Sequence, residues 1–202
     1  MWIDWTDGAA YCLGQMNRDC WYLYTLSHPF GEGDEWRGVN EPDQTLEVLM
    51  MDLDTDAMQI FTRQASSDAR QATQKSGIHK ILPGVQIDDF LFDPCGYSMN
   101  GILANGSYMT IHVTPEPHCS YVSFESNIPM ASYRDVLVRV LACFRPAKFI
   151  MTVFANKGSV ALSSHKELDG ATHIGAYQRK DLHSCQFHKY HLTYAHYVKF
   201  PS

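Results

Sequence analysis

A hydroxyl at Ser98 and an imidazole at His112 are the two side chains whose types and spacing first suggest chemistry. An imidazole can take or give a proton near neutral pH. A hydroxyl beside it can hydrogen-bond a developing oxyanion. Whether the two meet depends on the turn between them. Asn105-Gly106 is a strong hairpin signal, because both residues tolerate positive φ. Residues 107–114 alternate in the strand period, and 97–103 supply the preceding arm. A two-residue turn would pair Ser98 with Val113 and send His112 to the opposite face. A three-residue loop, Ala104-Asn105-Gly106 with Gly106 left-handed, pairs Ser98 directly with His112. The three-residue loop is the expectation. By themselves, a serine and a histidine on such a hairpin are more often ordinary surface residues than machinery.

Other elements must hold that hairpin. Residues 8–15 and 19–26 read as two strands around a turn at Met16-Asn17-Arg18, and 28–40 as a glycine-rich loop. Pro42 suits the first turn of a helix. Leu46, Leu49, Met50 and Leu53 then give an apolar stripe at helical spacing. Short helices are expected over 56–62, capped by Thr55, and over 67–75. Residues 77–84 read as a connection, 85–92 and 120–125 as strands, and 132–144 as a helix with Val136, Leu137, Val140, Leu141 and Phe144 on one face. A strand is expected over 149–155, loop with some extended structure over 158–169, and two strands within 172–199 broken near 183–186. The pattern is α+β, with antiparallel strands and interspersed helices.

The 202 residues suffice for one domain with a sizeable core. Hydrophobic residues at 45% and charged residues at 19% fit an ordinary globular protein. A formal net charge of -6 argues against generic nucleic-acid binding and is compatible with cationic ligands. The six cysteines show no metal-finger spacing, which favours reduced thiols in the cytoplasm. No apolar run is long enough for a membrane span. His183, His188, His191 and His196 lack an accompanying carboxylate motif, so exposed strand histidines are expected rather than a metal site.

Longer words in the chain carry more. Pro94-Cys95-Gly96-Tyr97-Ser98-Met99-Asn100-Gly101, Thr110-Ile111-His112-Val113-Thr114-Pro115-Glu116-Pro117 and Ser120-Tyr121-Val122-Ser123-Phe124-Glu125 resemble the eukaryotic S-adenosylmethionine decarboxylases. So do Gly8-Ala9-Ala10-Tyr11-Cys12-Leu13-Gly14-Gln15-Met16-Asn17, Asp19-Cys20-Trp21-Tyr22-Leu23-Tyr24-Thr25 and Pro42-Asp43-Gln44-Thr45-Leu46-Glu47. The resemblance runs in order to about Phe154 and weakens beyond. It implies part of an α/β/β/α sandwich, two antiparallel sheets with helices outside. It also implies decarboxylation with a covalently bound pyruvoyl group as electron sink, within spermidine and spermine biosynthesis.

By the same resemblance, Ser98 and His112 assist the self-cleavage that makes the pyruvoyl group. Phe92 matches the aromatic that stacks on the adenine of S-adenosylmethionine, and Glu116 the carboxylate that holds its ribose hydroxyls. Asp43, Thr45, Glu47, Glu125, Phe154 and, through a short gap, Tyr190 match positions that bind the activator putrescine. Buried acids and a diamine offset each other's desolvation. Read without the resemblance, Asp43 and Glu47 are acids at a helix N-terminus.

The family's self-cleavage sequence, Glu-Ser-Ser, is not among these residues. Ser66-Ser67 follows Ala65, and Ser163-Ser164 follows Leu162. None of the six cysteines matches the family's catalytic one. The expectation is therefore a C-terminal portion, inactive alone, that needs the N-terminal half. The alternatives are a catalytically dead regulatory partner of a full-length relative, and a remnant that binds polyamine or nucleoside.

Overall fold

The computed structural model describes residues 7–17, 20–27, 41–187 and 189–200. The chain divides into two compact units, 1–41 and 42–202. In the first, strands β1 (Asp7–Gly14) and β2 (Cys20–Ser27) form an antiparallel hairpin in which Cys12 pairs with Tyr22 and Leu13 with Trp21.

The second unit is built on one nine-stranded sheet. Its strands are β3 (Gln44–Met51), β4 (Gln86–Leu91), β5 (Tyr97–Ile102), β6 (Tyr108–Thr114), β7 (Tyr121–Ser126), β8 (Lys148–Asn156), β9 (His173–Ile174), β10 (Tyr177–Gln186) and β11 (Tyr190–Lys199). Their order is β4-β5-β6-β7-β3-β8-β11-β10-β9, and every neighbouring pair is antiparallel. The helices are α1 (Thr55–Gln59), α2 (Ala69–Ser76), α3 (Arg134–Phe144) and α4 (Ser164–Gly170), with short 3-10 turns at Ile78–Lys80 and Val160–Ser163. This is the expected α+β class, with an antiparallel sheet and a helical layer.

Strand alternation decides which side meets the helices. Leu46, Val48 and Met50 of β3 are fully buried, as are Met109 and Ile111 of β6 and Phe124 of β7. They join Val136, Leu137, Val140 and Phe144 of α3 in one apolar cluster. Phe61, just after α1, lies 5.2 Å from the Tyr97 ring and 5.9 Å from that of Phe144. Burying each such side chain contributes about 1.5–3 kcal/mol. The intervening residues of each strand form the other face, on which Ser98, His112, Glu47 and Glu125 lie.

Several expectations fail. The helix beginning at Pro42 is instead β3, a central strand buried in alternation from Leu46 to Met50. Asp54, not Thr55, caps α1, its Oδ1 accepting from the Ala57 N–H at 3.0 Å. The loop expected over 158–169 contains a 3-10 turn and α4, anchored by buried Ala161 and Leu168. β10 continues through Gln186, so the break lies after the expected 183–186. His191 is buried rather than exposed, its Nε2 2.7 Å from Ser184 Oγ and its ring 4.3 Å from that of His165. His188 and the loop 28–40 lie outside the described residues. Among the described residues, no helix is long and apolar enough to cross a membrane, and no group of three or more His, Cys, Asp or Glu could hold a metal.

Candidate active site and adjoining acidic cluster

The turn between β5 and β6 has three residues. The Leu103 N–H donates to Ser107 O at 2.8 Å, and the Gly106 N–H to Leu103 O at 3.0 Å. Gly106 sits at φ +82, which a side chain would strain. Asn105 Oδ1 accepts from the Ser107 N–H at 3.0 Å and fixes the loop from within. Ser98 is therefore directly opposite His112, with Oγ and Nδ1 2.8 Å apart and the imidazole exposed. The pair can pass a proton between hydroxyl and ring while remaining open to a third group.

Phe92 immediately follows β4. Its N–H donates to Gly96 O at 2.8 Å, closing a tight turn. The turn is fastened from outside: the Gly96 N–H donates to Phe61 O at 3.0 Å, and Arg63 Nη2 to Leu91 O at 2.7 Å. Gly96 adopts φ +109, and a Cβ there would stand 3.6 Å from the Phe92 ring. Leu91 pairs with Tyr97, and Tyr97 with Val113, so Phe92 and the end of β6 share one end of the sheet. Glu116 is exposed two residues beyond β6. Among the described residues no side-chain hydrogen bond ties it to Ser98, His112 or Phe92.

On the same face, two residues further along the strands, lies a second constellation. Glu47 of β3 is directly opposite Glu125 of β7 on one side and Thr152 of β8 on the other. Thr152 Oγ1 approaches Glu47 Oε2 at 3.4 Å. Thr45 pairs with Phe154. Asp43 precedes β3, its N–H donating to Asn156 Oδ1 at 3.1 Å, and Tyr190 OH donates to its Oδ2 at 2.5 Å. The structure thus brings Asp43, Thr45, Glu47, Glu125, Phe154 and Tyr190 to one region. Among the described residues, none of the three carboxylates is ion-paired.

Electrostatics follow from this crowding. Burial, and then the charge of Glu125, push the Glu47 carboxyl above the ordinary range, against a smaller lowering by the Thr152 hydrogen bond. The Tyr190 phenol is pushed up to about 12, first by its hydrogen bond to Asp43 and then by burial. Both residues missed by sequence reasoning belong to this cluster. Tyr108 OH donates to Glu125 Oε1 at 2.5 Å, and its phenol is pushed up to about 12 by burial and then by that bond. Thr152 is the other. Tyr108 was within reach, since it precedes His112 by an even number of positions on one strand and so shares its face. Thr152 had no local signal.

The family model described as adenosylmethionine decarboxylase matches residues 4–198. The S-adenosylmethionine decarboxylase proenzyme of Drosophila melanogaster is 50% identical over 198 residues, which are 95% of this chain and 57% of the relative. The corresponding proenzyme of Xenopus laevis is 42% identical over 193 residues, covering 96% and 55%. The chain therefore spans about half the length of these relatives. A crystal structure of a Trypanosoma brucei AdoMetDC-delta26 monomer superposes with a TM-score of 0.71 at 21% identity, over 97% of this chain and 73% of that one, a likeness of fold.

Proposed function

The chain belongs to the adenosylmethionine decarboxylase family, and on that premise we propose that it supplies the C-terminal portion of a pyruvoyl-dependent S-adenosylmethionine decarboxylase serving spermidine and spermine synthesis. The observation that carries this is the 2.8 Å contact between Ser98 Oγ and His112 Nδ1 on an open sheet face. The relatives are named as proenzymes, which supports assigning the pair to self-processing. His112 would take a proton from, or return one to, the reacting group, and Ser98 Oγ would hydrogen-bond the developing oxyanion. The exposed Phe92 ring suits stacking on adenine, and the two acceptor oxygens of Glu116 suit a ribose diol.

A pyruvoyl group supplies a sink for the electron pair left when carbon dioxide departs. The exposed Ser98–His112 pair fits such a small keto-acyl group brought from another segment. The chain's own Ser-Ser pairs do not fit as its source. Ser66 Oγ is buried and donates to Ile60 O at 2.7 Å, and Ser164 Oγ donates to Ala161 O at 2.7 Å. The partner is therefore an N-terminal portion or a full-length relative. The acidic cluster fits a diammonium activator such as putrescine: carboxylates at Asp43, Glu47 and Glu125 face the same region without basic partners among the described residues. All six cysteines are free thiols, in keeping with a cytosolic protein.

Sequencing the transcript upstream of Met1 and expressing its product tests the proposal. An in-frame Glu-Ser-Ser whose cleavage is slowed by H112A supports it. A stop codon directly upstream would overturn the portion reading in favour of a regulatory or binding protein.

A further inference from the structure

Two large aromatic rings stand exposed beside the Ser98–His112 pair, and the proposed function uses only one. Phe90 of β4 is directly opposite Ser98. It is 58% exposed, and Phe92 is 45% exposed. Their centroids are 4.8 Å apart with the rings inclined at 62°, an edge-to-face contact. Burying apolar surface is the default, so two adjacent phenylalanines held in the open on a rigid edge call for an explanation. Neither ring belongs to the apolar core.

The local geometry distinguishes the two rings. Phe92 lies in the turn after β4. Gly96 lies against its ring, where a Cβ would make only ordinary van der Waals contact, and its φ of +109 is what calls for glycine. Phe90 lies within the strand, paired to β5, on the side of Phe92 that runs toward Ser98. An edge-to-face pair fixes the tilt of both rings. We propose that Phe90 is a positioning residue for the nucleoside-binding face: it holds the Phe92 ring upright, so that a purine stacks with its sulfonium-bearing end directed along β5 toward Ser98 and His112. This rests on the assignment of Phe92 to adenine. Phe90 itself need not touch the ligand, because its contact with Phe92 already transmits the constraint.

The test is binding of S-adenosylmethionine methyl ester to the 202-residue chain, followed by NMR titration of the aromatic resonances. The variants are F90L, F90Y, F92L and the double variant F90L/F92L. F90L should weaken binding about fivefold, the scale of one edge-to-face aromatic pair. F90Y should restore it, and the double variant should be no weaker than F92L alone. F90L should also move the Phe92 ring resonances in the absence of ligand. If F90L binds like the parent chain while F92L does not, the proposal is overturned and Phe92 keeps its role. If F92L also binds like the parent, or the parent does not bind, the nucleoside assignment fails and this inference fails with it. If F90L and F92L weaken binding additively, Phe90 acts by its own contact and the positioning role is overturned.

Discussion

Glu47 and Glu125 face each other directly across β3 and β7, two carboxylates in a cross-strand pair without a basic partner among the described residues. Like charges so placed repel. The sheet therefore carries a local electrostatic cost that a bound dication would remove.

The pH dependence of that binding follows. Burial first, and Glu125 second, raise the Glu47 carboxyl in the folded chain. Between the unfolded carboxylate value and this raised one, the folded state holds more protons than the unfolded state. Stability therefore falls as pH rises through that window and is unaffected below it. A diamine prefers ionised Glu47, so putrescine should bind more tightly at about pH 7.5 than at about pH 5. Binding near the lower value should release protons. Calorimetry in buffers of different ionisation enthalpy measures this; affinity that rises on acidification would contradict the assignment.

Glu47→Gln should separate stability from binding. Without ligand the variant should be more stable by about 0.5–1 kcal/mol at neutral pH, because the repulsion with Glu125 is gone. Its putrescine affinity should fall. Urea unfolding with and without diamine reads both effects, and a variant that lost stability and kept affinity would refute the account.

The chain of these 202 residues should release no carbon dioxide from carboxyl-labelled S-adenosylmethionine. Neither of its Ser-Ser pairs follows a glutamate, and the Ser66 and Ser164 hydroxyls are committed to backbone carbonyls. Sustained release of label above a blank would mean that some other residue supplies that chemistry.

Gly101→Ala should lower stability by about 1–3 kcal/mol through overpacking. A Cβ at Gly101 would stand 2.5 Å from Val85 Cγ2, a stiff β-branched group, and close to Met99 and Met109. Thermal unfolding measures it, and an unchanged midpoint would show that β4 and β5 can part without cost.

Local chemistry was the legible part of the sequence. Asn105-Gly106 and strand alternation fixed the Ser98–His112 register, because turn type and loop length act over a few residues. β3 was misread because Leu46, Leu49, Met50 and Leu53 satisfy a helical period while Leu46, Val48 and Met50 satisfy the strand period. A central strand is apolar enough to fit both. The site survived that error for a geometric reason. Asp43 and Glu47 share a face in a helix and in a strand alike, whereas Thr45 joins them only in the strand. Tyr108 and Thr152 depend on which strands become neighbours, and local pattern does not set that. α4 is short and mostly polar, with few apolar positions to mark its face.

The place of β3 in the sheet has a consequence for how the molecule is made. β3 is the first strand of this sheet in chain order, and its neighbours β7 and β8 follow much later in the sequence. The hydrogen bond from Tyr190 to Asp43 closes a separation of 147 residues. Contacts of such long range are slow to form, because loop closure must precede any gain from them. The β5–β6 hairpin can form locally, while the acidic cluster exists only when β3, β6, β7, β8 and β11 have come together. A diamine bound there would select chains in which those strands have paired over those in which they have not, and stabilise them by mass action. Its cellular concentration would then help set how much of the newly made chain reaches the native state.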